Sequence, residues 1–186
     1  ADARKGRWKK VPGNRLFSSL LRHFGALPVL AEDLGMITEE VHVLRRRFHF
    51  PGMRVLQFGY GSGEPHNDFL PHNFERDSVV YTGTHDNDTT AGWYATLPED
   101  KQRFVHEYLH VSSVEEVCEK LIQEACASVA LYAIIPVQDI LALGSEARMN
   151  FPGKPDGNWE FRLPPGALTQ DHANRLHFLA YLYNRS

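Results

Sequence analysis

Short apolar segments alternate with amphipathic segments along most of this 186-residue chain, and this alternation constrains the fold more than any other feature of the sequence. Strand-sized apolar runs separated by helices are typical of βα units, in which helices cover a parallel sheet. The sequence therefore predicts an α/β fold with parallel strands. The predicted strands are residues 27–31, 53–58, 79–82 and 131–138.

Helices are predicted from capping residues and from apolar residues spaced three or four apart. Ser113 and Glu116 have the spacing of a capping box, which predicts a long helix through about residue 128. Segments 59–73 and 149–159 are rich in Gly, Pro and Asn, and we expect them to be irregular. The other predicted helices run from the cap Asn14 to Gly25, from the cap Thr38 over 39–48, from Pro98 over 99–109, and over 171–183.

Two architectures fit this alternation, a small doubly wound sheet and part of a (β/α)₈ barrel, and periodicity alone does not separate them. In both architectures the functional side chains lie at the carboxyl ends of the strands. Polar side chains follow every predicted strand, so we expect a site at one rim of the sheet. These side chains are Glu32 and Asp33, Gln57, His85 and Asp86, and Gln138 and Asp139.

The densest polar cluster is the "THDND" segment that follows the third predicted strand. Acidic side chains at the ends of different strands suit glycosyl transfer, in which one carboxylic acid protonates the leaving oxygen and another carboxylate attacks or stabilises the oxocarbenium-like centre. A simpler role for Glu32 is an exposed carboxylate at a helix start. Trp8, Trp93 and Trp159 are candidate sugar-facing surfaces.

Two other functions compete for the same residues. Residues 86–90, "DNDTT", fit the Asp-x-Asp-x-Thr loop of haloacid-dehalogenase-type phosphatases, but here the loop follows the polar "YTGTH", and a later Asp-Asp metal motif is absent. Metal binding by His72, His85 and Asp88 is the other possibility, although the histidines lack the spacings typical of metal sites. We therefore expect neither a metal nor a cofactor.

Seven segments of the sequence are distinctive: "GRWKKVPG", "LPVLAEDLGMIT", "FPGMRVLQF", "LPHNF", "VVYTGTHDNDTTAGW", "IIPVQDILALGSEARMNFPG" and "GNWEFRL". In this order they resemble the C-terminal half of the 4-α-glucanotransferases of glycoside hydrolase family 77, also called amylomaltases or disproportionating enzymes. The resemblance extends from about Gly6 to the end of the sequence without a large insertion.

The resemblance implies a (β/α)₈ barrel that transfers α-1,4-glucan segments between maltooligosaccharides. The glutamate of "AEDLG" is the general acid/base of the family, which implies this role for Glu32. The aspartate of "THDN" stabilises the transition state, which implies this role for Asp86. His85 matches a sugar-binding histidine, and we add the adjacent Asn87 as a candidate sugar contact.

The family nucleophile has no counterpart in this sequence. It is an aspartate in an Asp-His-Phe-Arg-Gly motif, upstream of the tryptophan that matches Trp8; the "DHANR" at Asp171 lies instead in the predicted C-terminal helix. We therefore expect residues 1–186 to form a single partial catalytic domain, the last four βα units or so plus the C-terminal segment, without activity alone. It would be a fragment of a longer enzyme or a truncated gene product. A non-catalytic remnant that binds α-glucan or serves in assembly is the alternative.

The expected partners are α-1,4-glucans and maltooligosaccharides. A half barrel also leaves strand edges and an apolar face uncovered, so we expect it to pair with the missing N-terminal half or to self-associate.

The formal net charge of −3 gives no electrostatic reason to expect nucleic acid or an anionic membrane as a partner. No apolar stretch is long enough for a membrane span. Cys118 and Cys126 are too far apart on one predicted helix to form a disulfide, and free thiols fit a reducing compartment. We therefore expect the cytoplasm.

Overall fold

A computed structural model describes residue 6 and residues 9–185. Its centre is a parallel sheet of three strands in the order β1 (Gly52–Val55), β2 (Ser78–Tyr81) and β3 (Tyr132–Ile134). Ala31 extends the sheet beyond β1 by a single parallel bridge to Gly52. The α/β class and the parallel strands predicted from the sequence are confirmed.

Eight α-helices lie in the described part of the chain, and helices separate each pair of consecutive strands, as βα units require. The caps at Pro98 and Ser113 begin helices as predicted. Two further turns of 3₁₀-helix are Pro71–Asn73 and Ser145–Ala147. The α-helices are α1 (Gly13–Phe24), α2 (Glu39–Arg47), α3 (Leu56–Ser62), α4 (Thr90–Ala95), α5 (Glu99–Leu109), α6 (Val114–Ala127), α7 (Val137–Ile140) and α8 (Gln170–Leu182).

The main core lies between β2 and helices α3, α5 and α6. Apolar residues spaced four apart on these helices supply most of the contacts, and each side chain in the cluster is almost fully removed from water. The buried cluster comprises Leu56, Tyr60, Leu70, Val80, Val105, Leu109, Val117, Leu121, Ala125 and Ala130.

The predicted strand 53–58 is correct only as far as Val55, because the chain turns into helix α3 at Leu56. Leu56 and Tyr60 are four residues apart, so a helix places both on one face, and both are fully buried there. The prediction of an irregular loop over 59–73 is also wrong for its first four residues, because they belong to α3. Gly63 ends the helix in the left-handed conformation, which glycine adopts without strain.

Three other elements differ from the prediction by more than one residue. Residues 27–31 contribute only the bridge at Ala31, and 131–138 contain the short strand β3 followed by α7, with Pro136 between them. Helix α1 begins at Gly13 after Pro12, so Asn14 lies inside its first turn and does not cap it.

Cys118 and Cys126 are buried, unpaired residues of α6, as predicted. Trp8 lies outside the described residues. Of the helices in the described part of the chain, none combines the length and the apolar character needed to cross a bilayer.

Candidate active site

The two acidic residues that follow Ala31 have opposite environments. Asp33 is buried, and its Oδ1 accepts a hydrogen bond of 2.7 Å from the backbone N–H of Met53 in β1. Its Oδ2 lies 3.3 Å from Nε of Arg45. Gly52 permits this approach, because a Cβ there would lie 2.4 Å from Oδ2 of Asp33. Asp33 therefore fastens this segment to β1.

Glu32, the preceding residue, is exposed. Its Oε1 accepts a hydrogen bond of 2.9 Å from the backbone N–H of Leu34, which fixes the turn after the bridge. The carboxyl group therefore remains open to solvent beside β1. The order of the sheet puts β1 between the Glu32 segment and β2.

Asp86 lies in a tight turn that follows β2. The side-chain oxygen of Asn87 accepts hydrogen bonds from the backbone N–H and the hydroxyl group of Thr84, at 2.9 and 2.8 Å. The Thr84 hydroxyl oxygen in turn accepts from the backbone N–H of Asp86 at 3.2 Å. Asn87 thus shapes the turn, while His85 and Asp86 are exposed on it.

Buried polar groups hold the rest of this loop. Gln57 donates its side-chain amide to the carbonyl oxygen of Asp88 at 2.9 Å, and the Asp88 carboxylate accepts from the hydroxyl group of Ser145 at 2.7 Å. Asp139 accepts from the hydroxyl group of Thr82 and, at 2.7 Å, from the backbone N–H of Thr90. These contacts anchor the loop at both ends.

Burial raises the pKa of the Asp139 carboxyl group, and the hydrogen bonds from Thr82 and Thr90 oppose this effect. Gln138, its neighbour, donates to the carbonyl oxygen of Ala147 at 3.2 Å. Of the polar side chains that follow the predicted strands, Asp33, Gln57, Gln138 and Asp139 therefore hold the backbone, and Glu32, His85 and Asp86 face solvent.

A distant segment, residues 148–159, supports Asp86. The side-chain amide of Asn150 donates to Oδ1 of Asp86 at 2.5 Å, and the guanidinium group of Arg148 donates to the Asp86 carbonyl oxygen at 2.8 Å. Nε2 of His85 lies 3.5 Å from the same Oδ1. Neither Asn150 nor Arg148 was identified as a site residue from the sequence. Both lie in "SEARMN", one of the segments on which the family resemblance rests, and that segment could have pointed to them.

A cavity of about 240 Å³ opens beside this loop. Its lining combines hydrogen-bonding side chains with apolar ones, among them Pro136, Met149 and one indole ring, a combination that can contact both the hydroxyl groups and the C–H faces of a sugar. Neither Glu32 nor Asp86 is part of this lining. The residues that matter here are His85, Asn87, Asp88, Gln138, Arg148 and Trp159.

The geometry does not favour the two competing functions. In a phosphatase Asp88 would be the free acid/base, but its two oxygens accept from the backbone N–H of Thr89 and from Ser145. Both ring nitrogens of His72 are engaged, with the Tyr108 hydroxyl group at 2.6 Å and the Pro65 carbonyl oxygen at 2.7 Å. Among the described residues, His, Cys, Asp and Glu side chains form no group of three suited to a metal ion.

Comparison with known proteins agrees with the sequence motifs. The family model described as 4-alpha-glucanotransferase, of glycoside hydrolase family 77, matches residues 1–169. A 4-alpha-glucanotransferase of Thermus thermophilus is 52% identical over 183 residues, which cover 95% of this chain and 36% of the relative. A chloroplastic/amyloplastic 4-alpha-glucanotransferase of Solanum tuberosum is 52% identical over 159 residues, covering 86% of this chain and 27% of that protein.

A solved structure has the same fold. The amylomaltase of Streptococcus agalactiae in complex with acarbose superimposes with a TM-score of 0.91 at 31% sequence identity, covering 98% of this chain and 37% of that one. The chain thus spans about a third of the length of the relatives it matches. The family match and the fold lead to one conclusion: this chain belongs to the 4-alpha-glucanotransferase family.

Proposed function

We propose that this chain carries the acid/base and the transition-state-stabilising carboxylate of a 4-α-glucanotransferase active site. The observation that supports this most directly is the environment of Asp86. Its carboxylate is exposed on a loop whose neighbouring residues His85 and Asn87 line the cavity, yet it is held by Asn150 and lies beside His85. A solvent-facing carboxylate fixed by other side chains is suited to binding a ligand, whereas a merely structural one would be buried among its donors.

In this mechanism the configuration at the anomeric carbon is retained through two displacements. Glu32 protonates the leaving glucan oxygen and then deprotonates the 4-hydroxyl group of the acceptor sugar. Asp86 stabilises the distorted donor ring as positive charge develops on it. His85 and the remaining amide N–H groups of Asn87 hydrogen-bond sugar hydroxyls. No step requires a metal or a cofactor.

The substrates we propose are α-1,4-glucans and maltooligosaccharides. The acarbose complex of the related amylomaltase supports this class of ligand. We also propose that β1 to β3 and the Ala31 segment are the last four strands of a (β/α)₈ barrel, and that residues 1–186 are one partial catalytic domain. Their sequential parallel order, Ala31–β1–β2–β3, supports this arrangement.

The nucleophile must come from outside these 186 residues, because the sequence contains no Asp-His-Phe-Arg-Gly motif. Without it no covalent glycosyl-enzyme forms, and loss of one member of such a concerted set removes most of the rate. We therefore expect the isolated chain to release no glucose from maltotriose. Robust release by the chain alone would contradict this expectation.

A chimera tests the catalytic roles directly. The segment of the Thermus thermophilus relative that matches this chain is replaced by residues 1–186, and glucose release from maltotriose is followed. We expect the chimera to transfer glucan. Glu32→Gln should lower kcat by about 10²–10⁴-fold, since proton transfer to the leaving oxygen is lost. Asp86→Asn should lower kcat by at least about 10²-fold, since charge stabilisation is lost.

Glu119→Gln is the matched control, because Glu119 is an exposed carboxylate of α6 that pairs with Arg175 outside the cavity. Its chimera should keep the activity of the parent chimera. An inactive parent chimera, or a Glu32→Gln chimera that retains most of the transfer rate, would refute the proposal.

A further inference from the structure

Trp159 is an exposed aromatic residue in an unfavourable backbone conformation. Its side chain lines the cavity beside Asp86, yet the residue is 54% exposed. Its φ of +63° lies in the left-handed region, which bulky residues avoid. Such strain persists only where the surroundings impose it, and it concentrates at ligand-binding positions.

Specific hydrogen bonds impose this conformation. The backbone N–H of Trp159 donates to the carbonyl oxygen of Met149 at 2.7 Å, and its own carbonyl oxygen accepts from the guanidinium group of Arg162 at 2.9 Å. The side-chain oxygen of Asn158, the preceding residue, accepts from the backbone N–H of Phe151 at 2.8 Å. These bonds hold the backbone that carries the indole ring in place before any ligand arrives.

The indole ring lies next to the polar groups that would hold sugar hydroxyls. Its centroid is 5.1 Å from that of the His85 ring, at an interplanar angle of 37°. A pyranose ring has an apolar face of C–H groups and a rim of hydroxyl groups. The exposed indole offers a surface for the apolar face, and His85 and Asn87, which line the same cavity, offer hydrogen-bonding partners for the hydroxyl groups.

Trp93, the other tryptophan described, is not available for this role. It is half-buried in α4 and packs against the main core. Trp159 gains no comparable burial, so packing does not explain its strained position. We propose that Trp159 is a stacking platform for a glucose ring of the bound α-glucan, an inference that rests on the proposed function and adds a specific sugar contact to it.

Binding to the 186-residue chain tests the proposal without requiring turnover. Maltoheptaose is titrated into the native chain and the variants Trp159→Ala, Trp159→Phe and Trp93→Phe, with calorimetry and tryptophan fluorescence as readouts. Loss of the indole should raise Kd about tenfold in Trp159→Ala, while the phenyl ring of Trp159→Phe should hold Kd within about threefold of native. Trp93→Phe should leave Kd unchanged.

The fluorescence response identifies the residue involved. Maltoheptaose should alter the emission of the native chain and of Trp93→Phe, and the response should be lost in both Trp159 variants. Thermal unfolding checks that all three variants keep the native fold.

Equal Kd values for the native chain and Trp159→Ala would overturn the stacking role while leaving the transfer activity of the chimera unaffected. Absence of maltoheptaose binding by the native chain would overturn it as well. Conversely, an inactive chimera combined with Trp159-dependent binding would refute the proposed function alone.

Discussion

At the scale of single residues, the buried carboxyl group of Asp139 connects the loop that carries His85 and Asp86 to the fold. It is only 2% exposed and accepts hydrogen bonds from Thr82 at the end of β2 and from Thr90 at the start of α4. Its raised pKa means that the folded protein holds the proton more tightly than the unfolded chain does. This group therefore favours folding most at low pH, and its contribution is lost as the pH rises through the folded-state pKa.

Asp139→Asn makes this effect measurable. Asparagine has the same shape; its oxygen can accept from Thr90 and its NH₂ group can donate to the Thr82 hydroxyl oxygen. An unfolded Asp titrates near pH ~3.9. Above that pH the free energy of unfolding of the variant should rise relative to the native chain by up to about 1.4 kcal/mol per pH unit, until the folded-state pKa is reached.

Urea unfolding of both proteins at pH values from 4 to neutrality measures the difference. The other carboxyl groups are common to the two chains, so their contributions largely cancel. A difference in the free energy of unfolding that stays constant with pH would contradict the assignment.

The exposed positions of Glu32, His85 and Asp86 at the ends of predicted strands could be anticipated from the sequence, whereas the residues that support them could not. Glu32 follows an apolar run directly, and His85 and Asp86 follow one after a short polar turn, so these positions depend on local sequence alone. Asn150 and Asp86 are 64 residues apart in sequence, and no periodicity predicts a contact over that separation. Asn87 illustrates a further limit. Its side-chain oxygen accepts both hydrogen bonds from Thr84 and so stabilises the turn, whereas the sequence suggested only a sugar contact for this residue.

At the scale of elements, the carboxyl end of α6 is held by one side chain near the end of the sequence. The guanidinium group of Arg185 donates to the carbonyl oxygens of four residues, and a cation there also interacts favourably with the helix dipole. The last carbonyl groups of a helix otherwise lack partners within it. The four acceptors are Ala125 at 3.2 Å, Cys126 at 2.5 Å, Ser128 at 2.7 Å and Ala130 at 3.0 Å.

Arg185→Met should lower the free energy of unfolding by about 2–3 kcal/mol, because several partly buried carbonyl oxygens lose a charged donor at once. Urea unfolding monitored by circular dichroism measures the loss. Arg175→Met is the matched control: Arg175 pairs with Glu119 on the surface, and such pairs contribute about 0–1 kcal/mol. Equal losses of unfolding free energy in the two variants would show that the hydrogen bonds of Arg185 to the end of α6 make no specific contribution to stability.

The types of most elements followed from the sequence, whereas several strand boundaries did not. Helices α5 and α6 were predicted with their caps, because Pro98 and Ser113 act locally. Residues 53–58 look like a strand throughout, since a short apolar run fits a buried strand and a buried helix equally well. Helix is formed from Leu56 onward because Leu56 and Tyr60 pack into the same core. That packing depends on residues of other helices, which local sequence does not reveal.

At the scale of the whole molecule, β3 leaves one side of the sheet without a neighbouring strand in the described part of the chain. Its side chains Tyr132 and Ile134 are 56% and 43% exposed, and Val129 and Leu131 just before it are exposed as well. An apolar edge strand with free backbone N–H and C=O groups is a template for pairing with another chain.

We therefore predict that the isolated chain self-associates at micromolar concentration through this edge. Ile134→Lys should shift the population toward monomer, because an added charge on an edge strand opposes strand pairing between chains. Val43→Lys is the matched control, since Val43 is an exposed valine of α2. This helix directly precedes β1 in the chain, and β1 and β3 lie at opposite ends of the strand order. Sedimentation velocity over a concentration series distinguishes the outcomes: a native chain that stays monomeric contradicts self-association, and equal shifts in the two variants contradict the β3 edge as the contact.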